Sequence, residues 1–118
     1  KELFNYLRMA DVLISPISKS LSTELGLVSK LYPYLASGIP TVATSLGSTR
    51  ELITDGFNGF LIEHENVDAF SIAVHKLLKD REMCKSIGAN ARESVKDFTW
   101  QNSAKNLLSI YENLLEEF

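Results

Sequence analysis

The sequence predicts a three-layer α/β fold, a short parallel sheet flanked by helices. Three observations lead there. Short apolar or β-branched runs alternate with segments of helical period, the arrangement of successive βαβ units. The first run, Val12-Leu13-Ile14-Ser15, is almost continuously apolar, as a strand covered on both faces must be. The stretch from Tyr34 to Ile62 also punctuates itself, with a glycine where a helix should stop, a proline where a strand should start and two turn dipeptides before the next strand.

The elements follow in order. Residues 1–8 read as a helix with Leu3, Phe4 and Leu7 on one face. A strand is expected over 12–15, then a long polar loop from Pro16 to Leu27. A helix over 28–37 should end at Gly38, which can take the positive φ of a helix terminus without a Cβ clash. Pro40 suits the start of the strand over 41–43, where a missing N–H does least harm. Ser48-Thr49-Arg50-Glu51 reads as a capping box for a helix over 49–54, with Ser48 as the cap and Glu51 reaching back. Asp55-Gly56 and Asn58-Gly59 then turn the chain into a strand over 60–62.

Three helices close the chain. Asn66 caps one with Val67, Phe70, Ala73, Val74, Leu77 and Leu78 at helical spacing, and Asp80 caps the next, with Met83, Ile87, Ala91 and Val95. Gly88 should weaken the middle of that helix. Thr99 caps the last, whose apolar residues run from Trp100 through Ala104, Leu107, Leu108, Tyr111, Leu114 and Leu115 to Phe118. The strands are expected to lie side by side in sequence order.

Composition narrows the function classes. At 118 residues the chain is one small domain or part of a larger one, and 45% apolar residues suffice for a core. A net charge of −3 with no basic run argues against nucleic acid as a partner. No apolar run approaches a membrane span and no secretory signal opens the sequence. The single cysteine, Cys84, cannot form an internal disulfide. A cytoplasmic location is expected. His64 and His75 are isolated, Asp55, His64 and Glu65 lack metal spacing, and no metal or cofactor is assigned.

In open parallel sheets, ligands bind beyond the C-terminal strand ends. The loop from Pro16 to Leu27 leaves the first strand there and feeds a helix N-terminus, which can hold a diphosphate. Gly26 would let the backbone come close to it.

The stretch YLASGIPTVATSLGSTRELITDGFNGFLI resembles the C-terminal half of group 1 nucleotide-sugar glycosyltransferases. Ala36, Gly38, Pro40, Ala43, Thr44, Gly47, Glu51, Ile53, Asp55, Gly56, Gly59 and Leu61 stand in register with their pattern A-x-G-x-P-V-V-A-T-x-x-G-G-x-x-E-x-I-x-D-G-x-x-G-x-L. Ala10-Asp11-Val12 through Pro16 and Phe98-Thr99-Trp100 extend the resemblance to both flanks. It implies a Rossmann-like donor-binding domain of a two-domain glycosyltransferase B-type fold, represented over 1–118 by its second half. It implies a parent enzyme transferring a hexose, with retention, from a UDP- or GDP-sugar to a glycan or lipid acceptor. The donor phosphates would lie over Gly26, Leu27, Val28 and Ser29, with Lys30 adding positive charge, and Glu24 would contact the sugar.

Pro33 departs from the pattern. It stands in Lys30-Leu31-Tyr32-Pro33-Tyr34-Leu35-Ala36 where the family has a glutamate that grips the ribose. Proline offers no side-chain acceptor and removes a helical N–H, so nucleotide binding should be weakened or altered. It would sit in the first turn of a shorter helix or kink a longer one. The alternative is a non-catalytic remnant or interaction module with the same fold. With the acceptor-facing N-terminal domain and half the donor domain outside these residues, the chain alone is expected to be inactive, to self-associate through an unpaired sheet edge and its last helix, and to meet a membrane only through the parent protein.

Overall fold

The computed structural model describes residues 1–118. Three parallel strands, β1 (Leu13–Ser15), β2 (Thr41–Thr44) and β3 (Phe60–Ile62), lie in sequence order. Leu13 stands beside Thr41, and Val42 beside Phe60. The helices are α1 (Glu2–Leu7), α2 (Leu21–Leu25), α3 (Leu31–Ser37), α4 (Gly47–Leu52), α5 (Val67–Lys79), α6 (Arg81–Val95) and α7 (Trp100–Glu116). The expected strands are therefore present, β1 starting at Leu13 rather than Val12 and β2 running on to Thr44.

Side chains alternate across the sheet and split the core in two. Ala43 packs with Leu31 and Leu35 of α3, Ile53, and Ala91 and Val95 of α6. Its neighbour Val42 packs on the other face with Ile62, Ala73 and Leu77 of α5, and Ile87 of α6. All four residues of β2 are buried, as its apolar and β-branched run requires. The three layers of the sequence reading are thus α3, the sheet and α5, with α6 reaching both clusters.

Gly38 ends α3 in the left-handed region at φ 76°, as expected. Gly88 has a different part from the one expected. A Cβ there would lie 1.9 Å from the Gly38 carbonyl oxygen, so α6 crosses the end of α3 at a distance only a glycine permits. What reads as a weak point of α6 is where the two helices meet.

Two other local readings are corrected. Ser48 and Glu51 form no capping box: α4 begins at Gly47, Ser48 is buried within it and Glu51 is exposed. Thr49 takes the capping role, its Oγ1 accepting from the Leu46 N–H at 2.7 Å and donating to the Thr44 carbonyl at 2.7 Å. The helix starts so soon after β2 that the hydroxyl at 49 is the one that reaches back. The helix expected from Val28 starts only at Leu31, which puts Pro33 in its first turn, where a missing N–H forfeits no intrahelical bond. Gly59 closes the expected turn, its carbonyl accepting from the Gly56 N–H at 2.8 Å, and crowding also requires a glycine there, since a Cβ would come within 3.1 Å of both the Thr41 carbonyl and the Ile53 side chain.

The turn before β3 is anchored from inside. Asn58 is buried; it accepts from the Thr54 N–H at 2.7 Å and donates to the Leu52 carbonyl at 3.0 Å and to Ser94 Oγ at 3.2 Å. Asn66, Asp80 and Thr99 cap α5, α6 and α7 as expected, accepting from the N–H groups of Ala69, Met83 and Asn102. Yet α7 buries no residue, and Trp100 is 89% exposed. Its apolar face lies open, as foreseen.

Candidate functional site

The segment after β1 is not the uninterrupted loop the sequence suggests. Residues 16–20 lead into α2, which Ser20 and Thr23 cap reciprocally. The Thr23 N–H donates to Ser20 Oγ at 3.2 Å and the Ser20 N–H to Thr23 Oγ1 at 2.8 Å. This is a capping box with threonine in the place usually held by Glu or Gln, and so was easy to miss. The helix buries none of its residues, and Leu21 and Leu25 are exposed.

Residues 26–30 join α2 to α3. The Gly26 N–H is already committed, donating to the Ser22 carbonyl at 2.8 Å, and a Cβ on Gly26 would fall 2.5 Å from that same oxygen. Closing α2 thus accounts for this glycine. By contrast, the backbone N–H groups of Leu27, Val28, Ser29 and Lys30 donate to nothing within the chain. These four successive donors border an open cavity of about 320 Å³, which Ile17, Ser22 and Thr23 line from the other side. Lys30, an exposed residue, lines the same cavity. Unpaired N–H groups in series, with a cation beside them, suit an anion with several acceptor oxygens.

Glu24 does not stand open toward that cavity. Its Oε1 is 2.7 Å from Arg50 Nη2 in α4, while its Oε2 is buried with no hydrogen-bond partner. Arg50 also donates from Nη1 to Ser45 Oγ, at 3.3 Å, in the loop after β2. The ion pair was not visible in the sequence, because 24 and 50 meet only once the strand ends are brought together. Pro33 lies elsewhere again. It borders an apolar cleft with Phe4, Tyr32 and Phe98, where the Tyr32 and Phe98 rings meet edge to face at 5.6 Å.

A larger cavity of about 470 Å³ opens at the strand ends on the α5 side, bordered by Ile14, Thr44, His64 and Phe70. There His64 Nδ1 accepts from the Lys19 N–H at 3.3 Å, and Nε2 is 3.4 Å from the Glu65 carboxylate, so His64 is a bridge between loops. No group of His, Cys, Asp and Glu side chains could hold a metal ion. Cys84 is remote from both cavities; burial, then the nearby Asp80 and Asp11, push its thiol pKa up, and its S–H donates to the Leu77 carbonyl. No helix is long and apolar enough to cross a membrane.

Comparison with known proteins gives a consistent result. The family model described as "Glycosyl transferases group 1" matches residues 1–94. An uncharacterized glycosyltransferase of Methanocaldococcus jannaschii is 29% identical over 113 residues, 96% of this chain and 31% of that protein. Among solved structures, a glycosyltransferase from Rickettsia africae superposes with a TM-score of 0.81 at 21% identity, over 97% of this chain and 30% of that one. HepE from Anabaena in complex with UDP-glucose superposes with a TM-score of 0.71 at 21% identity, over 88% of this chain and 29% of that one. The chain spans less than a third of the length of the curated relatives.

Proposed function

We propose, since the chain belongs to the group 1 glycosyl transferases, that it supplies the phosphate-holding part of a donor site. The enzyme would transfer a hexose from a UDP- or GDP-sugar to a glycan or lipid acceptor with retention of configuration. The carrying observation is the run of four free N–H groups from Leu27 to Lys30 at a strand end, beside a cavity. In transfer, the bond between the sugar C1 and the diphosphate oxygen breaks and its electron pair stays on that oxygen. Donors fixed in advance around the departing diphosphate stabilise that charge without reorganising, which is the larger part of what such a site contributes. Lys30 adds a mobile positive charge. The UDP-glucose held by the Anabaena structure supports a nucleotide-sugar as ligand class.

Pro33 supplies no side-chain acceptor to a ribose diol, so binding by this chain would lean on the phosphates. Acceptor recognition and turnover would belong to parts of the protein beyond these residues, and the chain alone would bind without turning over. Calorimetric titration with UDP-glucose, GDP-mannose and the free nucleotides is the test. Substitution Val28→Pro deletes one donor and should weaken binding about tenfold, the scale of a hydrogen bond to a charged group. Equal affinity in wild type and variant would remove the phosphates from this segment. Retention would be read from the product anomer made by the complete enzyme.

A further inference from the structure

The free N–H run is held at its far end by α3, where Val28 packs against the core and the Val28, Ser29 and Lys30 carbonyls accept from the N–H groups of Leu31, Tyr32 and Tyr34. Its near end, Leu27, follows α2, and α2 has little to hold it in place. It buries no side chain. Two features fasten it to α4: the Glu24–Arg50 ion pair at 2.7 Å and the approach of the Glu24 carbonyl to Gly47, where a Cβ would lie 2.4 Å from that oxygen. Arg50 in turn grips Ser45 in the loop after β2. One guanidinium therefore ties the segment after β1 to the segment after β2, using separate nitrogens for each.

We propose that Arg50 is a positioning residue of the donor site, and that its pair with Glu24 is a latch setting α2, and with it Leu27 and the Ser22–Thr23 wall of the cavity, against α4. The proposal rests on the phosphate reading above and reassigns Glu24 from touching sugar to holding the frame. Both carboxylate oxygens favour this: Oε1 is taken by Arg50, and Oε2 is buried away from solvent. A partly exposed ion pair contributes little to global stability. It can still govern a helix with no apolar anchor, because local opening of such a segment costs little in the first place.

Hydrogen exchange on the 118-residue chain reads the latch directly. The amides of Thr23, Glu24 and Gly26 are hydrogen-bonded within α2 and its caps. With Arg50→Gln, and separately with Glu24→Gln, these amides should exchange about three- to tenfold faster, while α6 amides stay unchanged. Combining Glu24→Arg with Arg50→Glu should restore much of the protection. Titration with UDP and with UDP-glucose should show both ligands weakened by the same factor in each single variant, since the loss lies in the phosphate segment. Unchanged exchange in α2, or equal acceleration in α2 and α6, overturns the latch. A Glu24→Gln variant that loses affinity for UDP-glucose and keeps it for UDP overturns the positioning role in favour of a sugar contact. A wild-type chain that binds neither ligand overturns the phosphate reading instead, and the exchange result then decides the latch alone.

Discussion

Two close approaches in this molecule are built on a glycine, and they differ in what surrounds them. Gly88 of α6 lies under the Gly38 carbonyl, and Gly47 of α4 lies under the Glu24 carbonyl; a Cβ would stand 1.9 Å and 2.4 Å from those oxygens. The first joins α3 and α6, whose Leu31, Leu35, Ala91 and Val95 are buried together in one cluster. The second sits beside a helix that buries nothing and is tied by an ion pair. Similar steric demands therefore have opposite consequences. At the α3–α6 crossing a clash cannot relax without opening the core, because interiors are packed close to crystal density. At the α2–α4 contact the clash can relax by moving α2, which borders the candidate site. The molecule is rigid where it needs a frame and loosely fastened where a ligand would act.

The largest effect should come from the rigid crossing. Gly88→Ala forces a methyl into a carbonyl that cannot retreat, and should destabilise the chain by about 3 kcal/mol, at the upper end of overpacking. Urea unfolding measures it. A loss under about 1 kcal/mol would mean α6 slides easily and the contrast with α2 fails. Next comes the turn between α4 and β3, which Asn58 ties to α6. Asn58→Ala removes three hydrogen bonds and leaves the Thr54 N–H and the Leu52 carbonyl short of a partner. It should cost about 2 kcal/mol by the same measurement. Gly47→Ala should behave differently. Global stability should fall by less than about 1 kcal/mol, but α2 amides should exchange severalfold faster. A loss as large as that of Gly88→Ala would show α2 to be part of the core.

What the sequence disclosed and what it hid follow the same division. The strands, their order, the α5, α6 and α7 caps and the Gly38 terminus were legible because each depends on residues a few positions apart, or on a period. Gly88 was misread because its reason is Gly38, far away in sequence. Ser48 was misread as a cap because four letters fit a motif whose geometry is set by the distance from β2. For the candidate site, residues 27–30 could be named from the strand-loop-helix order and the family pattern. The Glu24–Arg50 pair could not be, since no local rule joins those positions. In α7 an apolar stripe calls for a cover, and the structure leaves that face open. An exposed stripe with Leu107, Leu108, Leu114 and Leu115 should drive self-association, so the chain should sediment above monomer mass at high micromolar concentration. Truncation after Phe98 should return it to monomer and change stability by less than about 0.5 kcal/mol, because no buried residue is lost.

The smallest effect is expected at Pro33, and it tests where the comparison ends. The family pattern sets a ribose-gripping carboxylate at this position, which would make Pro33→Glu a gain of function. The structure sets Pro33 in the first turn of α3, bordering the cleft with Phe4, Tyr32 and Phe98, whereas the free N–H groups border a different cavity. A proline in a first helical turn forfeits no hydrogen bond, so Pro33→Ala should change stability by no more than about 0.5 kcal/mol. Pro33→Glu should behave like Pro33→Ala in unfolding and should bind UDP no more tightly, because its carboxylate would enter the rim of an apolar cleft. Calorimetry on the two variants separates an acceptor effect from a helix effect, since only one of them supplies an oxygen. A gain in UDP affinity of about tenfold for Pro33→Glu over Pro33→Ala is what a hydrogen bond from a ribose hydroxyl to a carboxylate would give. That result would turn position 33 toward the nucleotide, and would mean that α3, and not only α2, shifts when the donor binds.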